Sequence, residues 1–189
     1  MNESKPILDE IRDIVAGVSS GPAIGHTKLT GALAIEVIRD RLLRSGVSVS
    51  ARDVFIKGCS TEFDLLVVRP DATPIYGIVY DPRDVAAALE IKFSGVYSQA
   101  VPTALRQLFE GLTSLHPHVH CIYVTVCEEP KFKYRMTSDL LGFPAFTLNW
   151  WTDPKKTAAN PGDQFHAIVD HLQTALSRLP PAACNDRGA

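Results

Sequence analysis

Apolar residues at Ile7, Leu8, Ile11, Ile14, Val15 and Val18 recur at the three-and-four spacing of a helix, which is expected to end near Gly17. A Ser-, Gly- and Pro-rich loop over 19–25 leads to a second helix over about 28–44, with Thr27 as N-cap and Gly46 as stop. Three strands are expected next, over 54–57, 62–68 and 85–93; the last two are apolar or β-branched and are bounded by Pro, Gly and Asp. The intervening insertion, 69–84, holds the turn formers Pro70, Pro74, Gly77 and Pro82 around an apolar run over 75–80 and reads as a hairpin arm. Ala104, Leu105, Leu108, Phe109, Leu112 and Leu115 mark a helix entered through Pro102, and 119–126 reads as a buried strand. A helix near 134–141, an apolar segment over 143–150 and a final helix from 163 to about 177 complete the pattern, which Pro180 and Pro181 end.

The order helix, three strands, helix, strand predicts an α/β fold: antiparallel strands, a crossover helix, then another strand. A chain of 189 residues suffices for one well-buried core and is short for two ordinary domains. The expected division is an N-terminal helix and loop over 1–25, one main domain over 26–178, and a loose tail over 179–189. An apolar fraction of 46% and a charged fraction of 21% are those of a soluble globular protein. No apolar run is long enough to span a bilayer, and the first ten residues lack a basic-then-apolar secretory pattern, so a cytoplasmic location is expected.

Cys59, Cys121, Cys127 and Cys184 show no C-x-x-C spacing, which argues against a zinc site or a disulfide framework. The formal net charge of −2 lends no global support to nucleic-acid binding, so any such function has to come from local groups.

Strand alternation places those groups. In 62–68, Asp64 shares a face with Leu66 and Val68. In 85–93, Val85, Ala87, Leu89, Ile91 and Phe93 share one face, while Ala86, Ala88, Glu90 and Lys92 share the other. Glu90 and Lys92 therefore project side by side from an otherwise apolar strand, where an unpaired charge is costly. The plain reading of an isolated E-x-K is an ion pair at a strand end.

With Asp64 in Thr61-Glu-Phe-Asp-Leu-Leu-Val-Val68 and Glu90-Ile-Lys92 in Ala88-Leu-Glu-Ile-Lys-Phe93, the chain resembles the PD-(D/E)xK nuclease superfamily over roughly 27–126 in element order. Phe63 stands where the motif's name has proline. The resemblance implies a restriction endonuclease-like αβββαβ core, a mixed sheet flanked by helices, with extra N- and C-terminal helices. It also implies a phosphodiesterase in which Asp64, Glu90 and the carbonyl of Ile91 hold Mg²⁺, or Mn²⁺ in its place, and Lys92 orients the attacking water.

Glu36 falls on a helical wheel between Leu29, Ala32, Leu33 and Leu43, in the stripe expected to face the sheet, and the superfamily often places a metal-site glutamate on this helix. Pairing with Arg39 explains it nearly as well. Gln107 on the crossover helix matches a polar position that many members use towards substrate, and a solvated helix face is the alternative. His26 and Lys28, at the start of the second helix, lie where free N–H groups bind phosphate, or are ordinary surface residues.

His116, His118 and His120 are spaced for a cluster, but Pro117 interrupts them and a plain connection is favoured. Lys131, Lys133 and Arg135, interleaved with Phe132 and Tyr134, form a basic loop that is either solvated or set to grip a nucleic-acid backbone. The implied partner is nucleic acid, DNA rather than RNA, and cutting two strands suggests a homodimer. Two competing readings remain open here: a nucleic-acid-binding or assembly protein that keeps the architecture without cleaving, and a structural domain whose acids are ion-paired.

Overall fold

The computed structural model describes residues 6–18, 26–94, 98, 100–129, 137–153, 155, 158–161 and 164–180. Helix α1 (Ile7–Val18) and helix α2 (His26–Arg44) come first. Strands β1 (Val54–Ile56), β2 (Glu62–Phe63), β3 (Leu65–Val68), β4 (Val79–Tyr80) and β5 (Val85–Ser94) follow. The crossover helix α3 (Ala100–Leu115) leads to β6 (His120–Cys127), a short α4 (Ser138–Leu141), β7 (Ala145–Thr147), β8 (Asn149–Trp151), β9 (Ala159–Pro161) and α5 (Phe165–Ser177). The expected αβββαβ order is present in α2, β1, β2–β3, β5, α3 and β6.

The central sheet runs β3-β5-β6-β7, with β3 antiparallel to β5 and the other pairs parallel. One face carries Leu65, Val67, Leu89, Ile91 and Val124 against α1, α2 and α5. The other carries Leu66, Ala88, Cys121 and Tyr123 against Leu105, Phe109 and Leu112 of α3 and Leu141 of α4. Both faces of the central strands are therefore covered, which is why β6 is apolar almost throughout. Arg41 ties α2 to α1 through Glu10 at 2.7 Å, and Ile7, Leu8 and Ile11 of α1 join the core.

The continuous strand expected over 62–68 divides at Asp64. β2 pairs antiparallel with β1, whereas β3 pairs with β5, so the chain leaves one sheet and enters another at that residue. The insertion over 69–84 is not a hairpin arm: β4 pairs in parallel with β1, completing a small β2-β1-β4 sheet. Ile75 and Val79 close only a short turn, and Tyr80 is drawn into the core beside Phe63. A register shift between Val67 and Val68 also exchanges the first two residues of β5, sending Val85 to the α3 side and Ala86 to the other. From Ala87 onwards the expected alternation holds.

Helix α2 corrects a further expectation. Ala34, Ile35, Val37, Ile38 and Leu42 are its buried residues, and Leu43 is 44% exposed. At 100° per residue the buried set centres opposite Glu36. The wheel drawn on Leu29, Ala32, Leu33 and Leu43 took the outer leucines for the core stripe; packing against both α1 and the sheet selects the other side. Among the described residues no helix is long and apolar enough to cross a membrane.

Candidate active site

Asp64 sits at the junction between sheets, and Glu90 and Lys92 stand on β5, the strand that β3 joins. Because Leu66 and Ala88 lie on the α3 side, residues two before and two after them share that side. The three side chains meet there. Lys92 Nζ is 2.5 Å from Glu90 Oε1 and 3.5 Å from Asp64 Oδ2. Both acidic side chains are 17% exposed and the lysine side chain 43%, so the cluster is sunk in the protein but open along the lysine.

Asp64 also accepts a hydrogen bond of 2.6 Å from the Ile91 N–H. The N–H and C=O of a strand residue leave on the same edge, so the Ile91 carbonyl points towards the Asp64 side as well. The pairing of β3 with β5 stops at Leu65 and Leu89, leaving that carbonyl beyond the ladder. Asp64, Glu90 and the Ile91 carbonyl thus share one end of the β3–β5 pair.

Burial raises the Glu90 carboxyl above its ordinary value, the Asp64 charge adds to this, and Lys92 opposes it. Burial pulls Lys92 down, but the Glu90 and Asp64 charges outweigh it and hold the ammonium above its ordinary value. Two carboxylates, one of them reluctant to ionise, form a site that a bound cation would relieve. No group of three His, Cys, Asp or Glu side chains converges among the described residues. The available set is two carboxylates and a carbonyl, all hard oxygen donors, with remaining positions for water, which fits Mg²⁺.

The other expected site residues are not drawn into this cluster. Glu36 is exposed and pairs with Arg39 at 3.7 Å and Arg52 at 3.9 Å. It is not among the charges that act on Glu90, which come from Asp64, Lys92 and Glu62. Gln107 is exposed and lines a groove of about 370 Å³ with Pro102, Thr103, Arg106, Glu110 and Leu140, none of them a member of the cluster. Lys28 is exposed on the first turn of α2, and the side chain of His26 lies outside the described residues.

His116 and His118 lie edge to face at 6.3 Å, His118 turns to the Pro82 carbonyl at 2.8 Å, and His120 packs on His171 at 5.4 Å, so the three form no common site. Lys131, Phe132, Lys133, Tyr134 and Arg135 lie outside the described residues, as does Cys184. Cys59 and Cys121 are free thiols.

Strand β6 adds residues that the sequence reading passed over. Tyr123 stands in register with Glu90, and Thr125 with Lys92, so both share the cluster's face. The signal was present in the alternation of 119–126, where hydroxyls at 123 and 125 interrupt an apolar run, but it has no meaning until the neighbouring strand is known.

No protein-family model and no curated protein matches the sequence. In three dimensions the chain is similar to the cAAA-bound form of P. aeruginosa ATCC27853 NucC, with 13% identity, a TM-score of 0.57 and coverage of 89% of this chain and 88% of that one. The cAAA-bound form of E. coli MS115-1 NucC gives 14% identity, a TM-score of 0.58 and the same coverage. Its apo form gives 15% and 0.52, with 93% of each chain covered. The described architecture and these likenesses together give the chain a restriction endonuclease-like fold.

Proposed function

We propose that the chain is a divalent-metal-dependent nuclease that hydrolyses phosphodiester bonds, with DNA as its substrate. The observation that carries this reading is the meeting of Asp64, Glu90 and Lys92 at one end of β3 and β5 in a restriction endonuclease-like fold. The fold alone would not license it, because one fold hosts many functions.

Asp64, Glu90 and the Ile91 carbonyl are the residues that would hold Mg²⁺ or Mn²⁺. When bound, the cation supplies Lewis acidity at a phosphoryl oxygen and makes water a better nucleophile. Lys92, held as an ammonium by its two acidic neighbours, is a donor and not a base. It can orient a water for in-line attack on phosphorus and neutralise charge on the phosphoryl oxygens as the P–O bond to the leaving sugar breaks. Glu36, held by Arg39 and Arg52, stays outside this ligand set. A homodimer belongs to the same proposal, since two symmetry-related sites are needed to cut both strands of a duplex.

A non-cleaving, nuclease-like binding protein is the competing reading, and the ion pairing of Lys92 with both acids is the observation in its favour. Incubation with supercoiled plasmid, linear duplex, single-stranded DNA and RNA, each with Mg²⁺, Mn²⁺ or EDTA, separates the two. Because two of the similar NucC structures are cAAA-bound forms, every reaction is run with and without cAAA. Cleavage of DNA that requires metal is the expected result. Intact substrates under all conditions, together with no Mn²⁺ uptake by calorimetry, would leave the binding or structural reading standing.

A further inference from the structure

Tyr123 is 1% exposed and Thr125 is fully buried, yet neither hydroxyl has a hydrogen-bond partner at bonding geometry among the described residues. The Thr125 side chain lies close enough to act on the phenol without a hydrogen bond of good geometry, and the Glu128, Glu90 and Asp64 charges also reach it. Buried hydroxyls left unpaired are costly, and native proteins keep them mainly where a water, an ion or a ligand completes them. These two stand side by side on β6, in register with Glu90 and Lys92 on β5 and on the same face.

A phenol and a hydroxyl two residues apart offer two donors and several acceptor lone pairs to whatever lies between them and the acids. That is the set a single ordered water needs. Resting on the nuclease reading, we propose that Tyr123 and Thr125 are positioning residues whose hydroxyls together hold a water that hydrogen-bonds the Glu90 carboxylate and fixes its orientation towards the cation. Burial pushes the Tyr123 phenol up, so it serves as a neutral donor over the working pH range. Neither residue touches the phosphodiester. Their effect is transmitted through Glu90, as outer-shell groups act on metal ligands generally.

The test uses the full chain with Tyr123→Phe, Thr125→Val and the double variant, each removing hydroxyls while keeping nearly the same shape. Mn²⁺ titration calorimetry, melting without metal, and plasmid cleavage over a range of Mg²⁺ concentrations are measured. Tyr123→Phe should weaken Mn²⁺ binding on the order of tenfold and raise the Mg²⁺ concentration needed for half-maximal cleavage. Its melting temperature without metal should change little, because the water that the phenol helps to hold keeps its bonds to Thr125 and Glu90. Thr125→Val should act in the same direction, and the double variant should be no weaker than the weaker single one, since both hydroxyls serve one water.

Mn²⁺ affinity and Mg²⁺ requirement equal to wild type in Tyr123→Phe overturn the inference while leaving the nuclease reading intact. Melting lowered in both single variants without metal would mark ordinary structural hydrogen bonds and overturn it too. A wild-type chain that takes up no Mn²⁺ removes the nuclease reading and this inference together.

Discussion

At the scale of the residue, the three members of the cluster have separable tasks. Lys92→Ala removes a partly exposed ammonium and leaves Asp64, Glu90 and the Ile91 carbonyl in place. Cleavage should fall by roughly 10²–10³-fold while Mn²⁺ uptake persists. Asp64→Asn keeps an acceptor for the Ile91 N–H but loses a charge from the ligand set, so both uptake and cleavage should be lost. Calorimetry beside a plasmid assay reads the two variants directly; a Lys92→Ala protein that cleaves normally would remove the role given to the amine. Glu36 supplies the contrast. Its contacts with Arg39 and Arg52 are at 3.7 and 3.9 Å on the surface, so Glu36→Ala should change stability by no more than about 1 kcal/mol and leave Mn²⁺ uptake unaltered. Weakened uptake in that variant would return Glu36 to the ligand set.

At the scale of the element, Ser50 tests how β3 is held against the segment before β1. Its Oγ accepts the Leu66 N–H at 2.9 Å while its own N–H reaches the Leu66 carbonyl at 2.8 Å, and the residue is 2% exposed. Ser50→Ala leaves one buried N–H unpaired and should cost about 1–3 kcal/mol, seen as a lower denaturation midpoint with cleavage retained below it. That prediction could not be made from the sequence, and the reason is general to this chain. Alternation within a strand is local, so the shared direction of Glu90 and Lys92 was legible from 85–93 alone. The division of 62–68 at Asp64 depends on which partner each half finds, and a run of apolar residues carries no mark of that choice. The orientation of α2 failed for a related reason: leucines surround much of the helix, and only the position of α1 shows which of them are outside. Tyr123 and Thr125 became meaningful through register with β5, a long-range pairing. Element order, by contrast, follows from periodicity and turn residues, and it was recovered for the αβββαβ core, whereas the small strand β4 and the later strands β7, β8 and β9, of which only an apolar segment over 143–150 was expected, were not.

At the scale of the whole molecule, the cluster sits on one face of a sheet that is apolar on both sides, so its two carboxylates have little water to screen them and the cation's presence should be visible in global stability. Burial, and next the Asp64 charge, raise the folded Glu90 carboxyl above its ordinary value of 4.5, with Lys92 in opposition. A carboxyl raised in the folded state binds its proton more tightly there than in the unfolded chain. Its contribution to stability is therefore complete below the unfolded value and is lost as pH rises through the folded one. Glu90→Gln cannot ionise and escapes that loss. Without metal, its melting temperature should match wild type near pH 4 and exceed it at pH 7. Adding Mg²⁺ at pH 7 should invert the order, because a ligand present at a hundred times its dissociation constant stabilises the wild-type fold by about 2.7 kcal/mol and finds an incomplete ligand set in the variant. If Glu90 is instead a strut whose purpose is to pair Lys92, Glu90→Gln should lose roughly 3–5 kcal/mol at neutral pH, and neither protein should respond to Mg²⁺. Melts of the two proteins at pH 4 and pH 7, with Mg²⁺ and with EDTA, give opposite orders of stability for a cation site and for a structural ion pair.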